Sequence, residues 1–327
     1  MNDKRLYLVW YKHARRAETM AREIQAQLVF IFEQRLNKRG LKLLRYLVQG
    51  WHTWRLLERE RPAVVVAQSP PIFAPLTAAL WCKLRGKGQS VYVIDCHPGT
   101  FYDPHWHWAL KLLRPLTRGA AATILCNEDA QCILKEWGVN GLFLPDGVPT
   151  MEPASGTIGS EGEARMALIS TFSMDEPIAE FFEAAGKLPH VTFYVTGDPR
   201  RAPAHLLARA PANVVLTDFL RGGTYTALLK NVQGLLVLTT NPNSLTCGAY
   251  EALSVGKPTI ISNTAEMLRC FPSGFITVEN TPEAIAKGVE LLLSEQEVFE
   301  SEVKRLREDY AARRRPKLEE FVALLGS

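Results

Sequence analysis

The sequence predicts an α/β protein built from two Rossmann-like domains facing a central cleft, and three observations carry that prediction. Short β-branched and aromatic runs alternate with helix-length segments along nearly all 327 residues. The runs are continuously apolar, as parallel strands covered by helices on both faces must be. The alternation is interrupted once, over residues 151–165, by a stretch rich in Gly, Ser and Pro with no apolar period, which reads as a linker.

In the first half, Leu6–Trp10 is a candidate strand, followed by a helix over Ala14–Gln27 and a strand over Leu28–Phe32. A long helical pattern runs from Leu41 to Arg59. Strand Ala63–Ala67, helix Pro75–Leu84, strand Ser90–Ile94, strand Ala122–Cys126, helix Asp129–Trp137 and strand Gly141–Leu144 complete a domain over residues 1–150. In the second half, strands are expected at Met166–Ile169, Val191–Val195, Asn213–Leu216, Gly234–Leu238 and Pro258–Ile261, with a helix over Glu176–Ala185. They form a second domain over residues 166–308. The last helical stretch, Pro282–Leu325, has an expected break near Arg315–Pro316, and its end, residues 309–327, is expected to cross back to the first domain. Ligands of such sheets bind outside the carboxyl ends of the strands.

With 47% hydrophobic and 22% charged residues the composition excludes a disordered chain, a collagen-like repeat and a small disulfide scaffold. No run of about 18 apolar residues is present to span a membrane. Asn2-Asp3-Lys4-Arg5 and the brief run Leu6–Trp10 do not make a secretory signal, so a cytoplasmic location is expected. Cys82, Cys96, Cys126, Cys132, Cys247 and Cys270 are scattered without metal-ligand spacing and read as reduced thiols. The net charge of +4 is too mild to argue for nucleic acid.

The basic residues are unevenly placed. Arg35–Arg61 holds eight Lys or Arg against Glu58 and Glu60, eight minus two or +6, which exceeds the charge of the whole chain. At about 100° per residue Leu44, Leu47, Val48, Trp51 and Trp54 share one side, expected to pack on the sheet, while Lys38, Lys42, Arg45 and His52 occupy the other. The basic face suits either plain solvation or anionic lipid headgroups, which makes a peripheral contact with the inner face of the plasma membrane an expectation.

The richest segment is Leu238–Ile261. A strand ends at Leu238, a polar loop containing Asn241, Pro242 and Asn243 follows, a helix starts near Thr246, Glu251 falls on its second turn and Gly256 stops it. Unpaired amides and the positive end of the dipole at such a helix start suit a diphosphate, and a carboxylate there can accept hydrogen bonds from vicinal hydroxyls such as those of a ribose. A polar turn with a surface Glu is the other reading of the same residues.

Glu251-Ala-Leu-Ser-Val-Gly-Lys-Pro258 closely resembles the second half of the nucleotide-sugar signature of retaining-type, family-four-like glycosyltransferases of the two-domain GT-B fold. The signature is a Glu-x7-Glu pair followed by Ala-(Leu/Met)-(Ser/Ala)-x-Gly-x-Pro. Where the family has its first Glu, this chain has Asn243, and it is similar to a bacterial polysaccharide-type subset that carries Gly-Ala-x-Glu-Ala-Leu-Ser-x-Gly-Lys-Pro without the first Glu. The resemblance implies that Glu251 binds the donor ribose, that Asn243 lies near the transferred sugar, and that Ser244, Thr246, Cys247 and Gly248 hold the diphosphate. It extends to Thr171 and Phe172 after the first strand of the second domain, and to Gly197 and Asp198 after Val195. Many relatives place a Lys or Arg after that first strand; here Thr171, Ser173 and Asp175 stand there, so Arg15, Arg16, Arg200, Arg201 and Arg221 are the candidate cations.

In the first domain, Val93–Asp103 ends a strand with an acid, an imidazole and a glycine. Asp95, His97 and Asp103 are candidate bases or sugar-positioning groups. His97 also matches a family histidine beside the donor sugar, with a turn histidine as the alternative. Arg15, Arg16 and His13 follow the first strand and are either phosphate contacts or a basic, exposed helix start. His105 and His107 are read as part of an aromatic loop rather than a metal site. The resemblance implies transfer of a sugar from a nucleoside diphosphate donor to a hydroxyl of a saccharide or polyprenyl-linked saccharide acceptor in cell-surface polysaccharide biosynthesis, with neither metal nor cofactor. A sugar-nucleotide epimerase and a non-catalytic nucleotide-sugar-binding partner are the competing expectations.

Overall fold

The computed structural model describes residues 4–38, 40–86, 88–156 and 164–326. The chain divides into two compact units, Met1–Gly147 with Arg313–Ser327, and Val148–Ala312. In the first unit the order is β1 (Arg5–Val9), α1 (Arg15–Glu23), β2 (Gln27–Phe30), α2 (Lys42–Glu60), β3 (Val64–Ser69), α3 (Phe73–Arg85), β4 (Val91–Cys96), α4 (Gly99–Tyr102), α5 (Leu110–Gly119), β5 (Ala122–Leu125), α6 (Ala130–Glu136) and β6 (Leu142–Phe143). The strands form a parallel sheet in the order β2-β1-β3-β4-β5-β6.

Successive side chains of a strand point to opposite faces, so a sheet covered twice needs every position apolar. Leu6, Leu8, Val65 and Ile94 meet Leu57 of α2, Trp81 of α3, Leu113 of α5 and Leu134 of α6 on one face. Tyr7, Val9, Val66 and Val93 meet Ala17 and Met20 of α1, with Phe321 and Leu325 from the end of the chain, on the other.

The second unit runs β7 (Ala164–Leu168), α7 (Ile178–Gly186), β8 (Val191–Val195), α8 (Ala204–Leu207), β9 (Val214–Leu216), α9 (Gly222–Asn231), β10 (Gly234–Val237), α10 (Cys247–Val255), β11 (Thr259–Ser262), α11 (Ala265–Cys270), β12 (Ile276–Val278), α12 (Pro282–Ser294) and α13 (Gln296–Gly326). Its sheet has the order β12-β11-β10-β7-β8-β9 and is parallel throughout. The chain moves one way from β7 and the other way from β10, so the topological switch point lies between them. In the first unit it lies between β1 and β3. These are the places where an open α/β sheet leaves a crevice for a ligand.

Three expectations require correction. The apolar stripe of α2 does not face the sheet. Only Gln49, Thr53 and Leu57 are buried, while Leu43, Leu47 and Trp51 are 68%, 64% and 60% exposed. Polar pins set this rotation: Trp10 Nε1 donates to Thr53 Oγ1 at 2.9 Å, and Gln49 Nε2 donates to the Ile31 carbonyl. Of the five residues expected inside, Val48 and Trp54 are half-buried, and Leu44, Leu47 and Trp51 are exposed.

The expected break near Pro316 is absent as a helix end, because α13 continues through it. Proline leaves the carbonyl four residues earlier without its helical donor. That carbonyl belongs to Ala312, the last residue of the second unit. Beyond it, Arg314 is buried and tied to the first unit, donating to the Pro145 carbonyl at 2.8 Å and pairing with Glu23 of α1 at 2.6 Å.

The linker expectation also changes. Met151 packs on the core of the second unit, and the Ser155 amide donates to Gly223 O at 3.0 Å. Residues 157–163 of that stretch lie outside the described residues. Strand β12, short and bounded by Gly274 and Asn280, is an element the sequence pattern did not single out.

Candidate functional site

The carboxyl edge of the second sheet is built around α10. Thr246 precedes the helix in extended conformation and Gly256, at φ 69°, closes it in the left-handed region. Gly248 allows the first turn to lie close to the end of β7, since a Cβ there would stand 3.0 Å from Ile169 Cγ2. Glu251 is only 7% exposed, and Tyr225 Oη donates to its Oε2 at 2.6 Å. Tyr225 is in the first turn of α9, whose N-cap residue is Arg221. One short region therefore holds an oriented carboxylate, a phenol, an exposed guanidinium and the amino end of α10. Tyr225 went unread in the sequence because nothing local pairs it with a residue 26 positions away.

The loops that flank the switch point are laced together. After β10, Thr239 Oγ1 donates to Asp175 Oδ2 at 3.1 Å, and Thr240 N donates to Asp175 O at 2.7 Å. Thr239 N donates to Ser262 Oγ at 2.9 Å, Ser262 Oγ donates to Asn280 Oδ1 at 2.6 Å, and Asn280 Nδ2 returns to Thr239 O at 2.9 Å. Asn243 and Ser244 sit in a tight turn on Asn241. The Asn243 amide donates to Asn241 Oδ1 at 3.0 Å and the Ser244 amide to Asn241 O at 3.2 Å. The Ser244 amide is thus engaged within its loop, which removes it from the expected diphosphate set and leaves the Thr246–Gly248 helix start.

The loop after β7 also departs from expectation. Glu176 Oε1 accepts from Thr171 N at 2.9 Å and from Thr171 Oγ1 at 2.8 Å, and Glu176 Oε2 accepts from Ser170 Oγ. The donors expected to meet a phosphate at Thr171 are occupied by the chain's own carboxylate. Phe172, at φ 52°, packs into the core and is only 6% exposed, which leaves little surface for a donor. Gly197 is at φ 104°, and a Cβ there would meet Ser170 O at 2.5 Å, so only glycine lets the loops after β7 and β8 touch. Asp198 caps the next turn and holds Arg200 at 2.8 Å; the hydrogen bond from Arg200 lowers its pKa. Arg200 pairs with Asp198 while its side chain stays 88% exposed, and Arg201 and Arg221 are exposed as well.

In the first unit the expected base is locked away. Asp95 is 0% exposed and Arg16 2%. Arg16 Nε donates to Asp95 Oδ1 and Oδ2 at 3.0 and 3.1 Å, and Tyr7 Oη donates to Oδ2. Arg16 Nη1 donates to Asp146 Oδ1 at 2.6 Å and to the Leu144 carbonyl at 2.9 Å. Burial raises the Asp95 pKa, but the charge of Arg16 and the hydrogen bonds from His97 and Arg16 outweigh it and hold the carboxyl well below its ordinary range. A carboxylate so placed does not collect a proton from a hydroxyl, which corrects its assignment as base. Arg16, spent on two carboxylates, is likewise corrected as a phosphate contact.

His97 follows β4 with its Nε2 3.4 Å from Asp95 Oδ2, and its side chain is partly exposed. Around it, at the ends of β3 and β5, Gln68 Oε1, Ser69 Oγ and Asn127 Nδ2 are buried without a hydrogen-bond partner. Polar atoms of this kind are costly unless something satisfies them. Arg15 and His13 both pair with Glu18, at 3.2 and 3.0 Å. Asp103 caps the turn Pro104–Ala109, accepting from His105 N at 2.9 Å. Among the described residues no group of three His, Cys, Asp or Glu is placed to hold a metal. Tyr7 and Asp146 were invisible as partners of Arg16 because they come together only when β1, β4 and the segment after β6 align.

No protein-family model matches the chain, and no curated protein matches it. Solved structures do. A crystal structure of Anabaena HepE in complex with UDP and glucose is 13% identical, covers 99% of this chain and 99% of its own, and has a TM-score of 0.73. Sucrose-phosphate synthase of Thermosynechococcus elongatus is 13% identical over 98% of both chains with a TM-score of 0.68. A structure described as that of a "putative UDP-N-acetylglucosamine 2-epimerase" of Listeria monocytogenes is 13% identical over 93% of this chain and 91% of its own, with a TM-score of 0.63. What the likeness shows is the architecture: two six-stranded parallel α/β units and a final helix that rejoins the first, the GT-B fold.

Proposed function

We propose that this protein is a glycosyltransferase that moves a hexosyl group from a nucleoside diphosphate donor to a hydroxyl of a saccharide or polyprenyl-linked saccharide, in cell-surface polysaccharide assembly at the inner face of the plasma membrane. The observation that carries the reading is Glu251, a buried carboxylate held by Tyr225 beside the amino end of α10. A ribose supplies two vicinal hydroxyls for such an acceptor, and the helix start supplies amides and dipole for the diphosphate. Arg221, one turn before Tyr225, supports neutralisation of the leaving diphosphate by the protein itself, with no metal ion in the reaction. That HepE was crystallised with UDP and glucose supports a uridine donor.

In the first unit, the unsatisfied polar atoms of Gln68, Ser69 and Asn127 support an acceptor site there, with His97 as the proton-accepting group and Asp95 as its positioning partner. The epimerase reading has one observation in its favour, the shared fold of the Listeria structure.

Calorimetry with UDP, followed by incubation of a radiolabelled UDP-sugar with and without membrane extract, tests the proposal. Label moving into an extractable saccharide only when extract is present supports transfer. Isomerised donor without extract means epimerase. Absence of UDP binding overturns the donor site, and binding without turnover means a nucleotide-sugar-binding partner.

A further inference from the structure

Helix α2 is built inside out. Its buried strip is Gln49, Thr53 and Leu57, and its apolar strip, Leu43, Leu47 and Trp51, faces solvent. Burying apolar surface is the main favourable term in folding and association, so a helix that keeps two leucines and a tryptophan outside has a use for them there. The apolar surface continues beyond α2. Tyr46 packs against Phe73 in a tilted pair with ring centroids 4.8 Å apart, Phe73 lies 6.1 Å from the exposed Trp108, and the exposed Leu112 follows Trp108 by one turn.

The charge around this surface is predominantly positive, with Glu33, 3.5 Å from His52 of α2, as an acid at its border. From Gln34 to Leu57 the chain carries Arg35, Lys38, Arg39, Lys42, Arg45 and Arg55 and no acid, and Pro104–Gly119 carries Lys111, Arg114 and Arg118 and no acid. Arg55 lies over the Trp51 ring at 5.9 Å, a cation and an apolar anchor on one side of one helix. No helix among the described residues is long and apolar enough to cross a membrane.

We propose that the outer face of α2, with the adjoining Trp108–Leu112 stretch, docks the first unit on an anionic phospholipid bilayer, leucines and tryptophans entering the headgroup boundary and the flanking cations meeting lipid phosphates. Apolar anchors with predominantly basic flanks are the combination an anionic interface recognises. A second copy of the chain is a poorer occupant, because a two-fold contact brings the same cations against one another. The proposal deepens the acceptor half of the functional reading, which it takes to be lipid-linked. Its test reads lipid binding alone, so its failure and the failure of the donor site are separable.

The test is co-sedimentation of the full chain with phosphatidylcholine vesicles, with and without phosphatidylglycerol. The chain is expected to bind the anionic vesicles, to ignore pure phosphatidylcholine, and to detach as sodium chloride rises toward 0.5 M, roughly where charge attraction is screened within a few ångströms. The triple variant Leu43→Ser, Leu47→Ser, Trp51→Ser is expected to lose at least about tenfold in partition. Lys42→Ala with Arg55→Ala is expected to lose about twenty-five-fold, near fivefold for each cation. All five positions are exposed, and an unchanged thermal transition and UDP affinity show that the variants are folded. Wild type that ignores anionic vesicles, or a triple variant that binds them as well as wild type, overturns the proposal. So does a dimer in sedimentation velocity that Trp51→Ser dissolves.

Discussion

Tyr225 Oη lies 2.6 Å from Glu251 Oε2, joining the first turn of α9 to the second turn of α10 through a carboxylate that is nearly sealed from solvent. The phenol fixes the plane of the carboxylate and leaves the other oxygen's direction determined. Charged hydrogen bonds contribute about 1.5–3 kcal/mol each. Glu251→Ala, which removes both of the ribose contacts proposed for it, is therefore expected to weaken UDP binding by at least about a hundredfold. Tyr225→Phe, which only loosens the carboxylate, is expected to cost about five- to tenfold. Calorimetry on both variants, with unfolding checked by circular dichroism, measures this; equal affinity of Glu251→Ala and wild type removes the donor assignment.

The cation that faces the diphosphate is a narrower question after the structure than before it. Arg16 is buried on Asp95 and Asp146, and Arg200 is held by Asp198. Arg221 stands at the start of α9, four residues before Tyr225, which meets Glu251. Arg221→Ala is expected to lower affinity for UDP about tenfold while leaving affinity for uridine unchanged, since only the phosphates feel the charge. Thr171→Val is expected to change UDP affinity by less than about twofold, because its hydroxyl and amide already bind Glu176. A large effect at Thr171 with none at Arg221 reverses this assignment.

The pair Arg16–Asp95 makes a prediction about stability and acid. Asp95 has its pKa lowered in the folded protein: burial opposes this, and Arg16 and the hydrogen bonds override it. A depressed carboxyl stabilises the fold fully above its unfolded pKa, near 3.9, and the stabilisation is lost as pH falls through the lower folded value. The melting temperature is expected to fall below about pH 4 partly through this group. Asp95→Asn leaves Arg16 with one carboxylate instead of two, and is expected to destabilise by about 3–5 kcal/mol at neutral pH and to flatten the acid limb. Thermal scans from pH 7 to pH 2.5 decide it; an unchanged acid limb in Asp95→Asn assigns the decline to other carboxyls.

The strands were legible because a doubly covered parallel sheet demands unbroken apolar runs, and Val64–Ala67, Val191–Val195 and Gly234–Val237 have no other use. Glu251 stood out in the sequence through its likeness to the nucleotide-sugar signature, and in the structure it is a buried carboxylate held by Tyr225 and not the surface Glu of a polar turn. Periodicity failed at α2 for a physical reason: it shows that an apolar stripe exists, and only tertiary partners, here Trp10 with Thr53 and Ile31 with Gln49, decide which side faces in. Asp95 was misread for the complementary reason. An acid at the end of a strand looks reactive in sequence, and its neutralising Arg16 lies 79 residues away.

Cysteine reactivity offers a further test that needs no substitution. Burial pushes the Cys82 thiol up to about 12, and it lifts Cys96 and Cys126 well above their ordinary value, so none of the three supplies thiolate near neutral pH. Cys132 and Cys247 are exposed. Cys132 lies on α6 of the first unit, and Cys247 opens α10, beside the amides assigned to the diphosphate. A maleimide at pH 7 is expected to label these two positions, and saturating UDP is expected to slow labelling of Cys247 at least about tenfold while leaving Cys132 unchanged, because a bound diphosphate covers the helix start. Peptide mass mapping reads both sites in one experiment. Equal protection of both thiols points to a general tightening of the protein, and no protection at Cys247 moves the diphosphate away from α10.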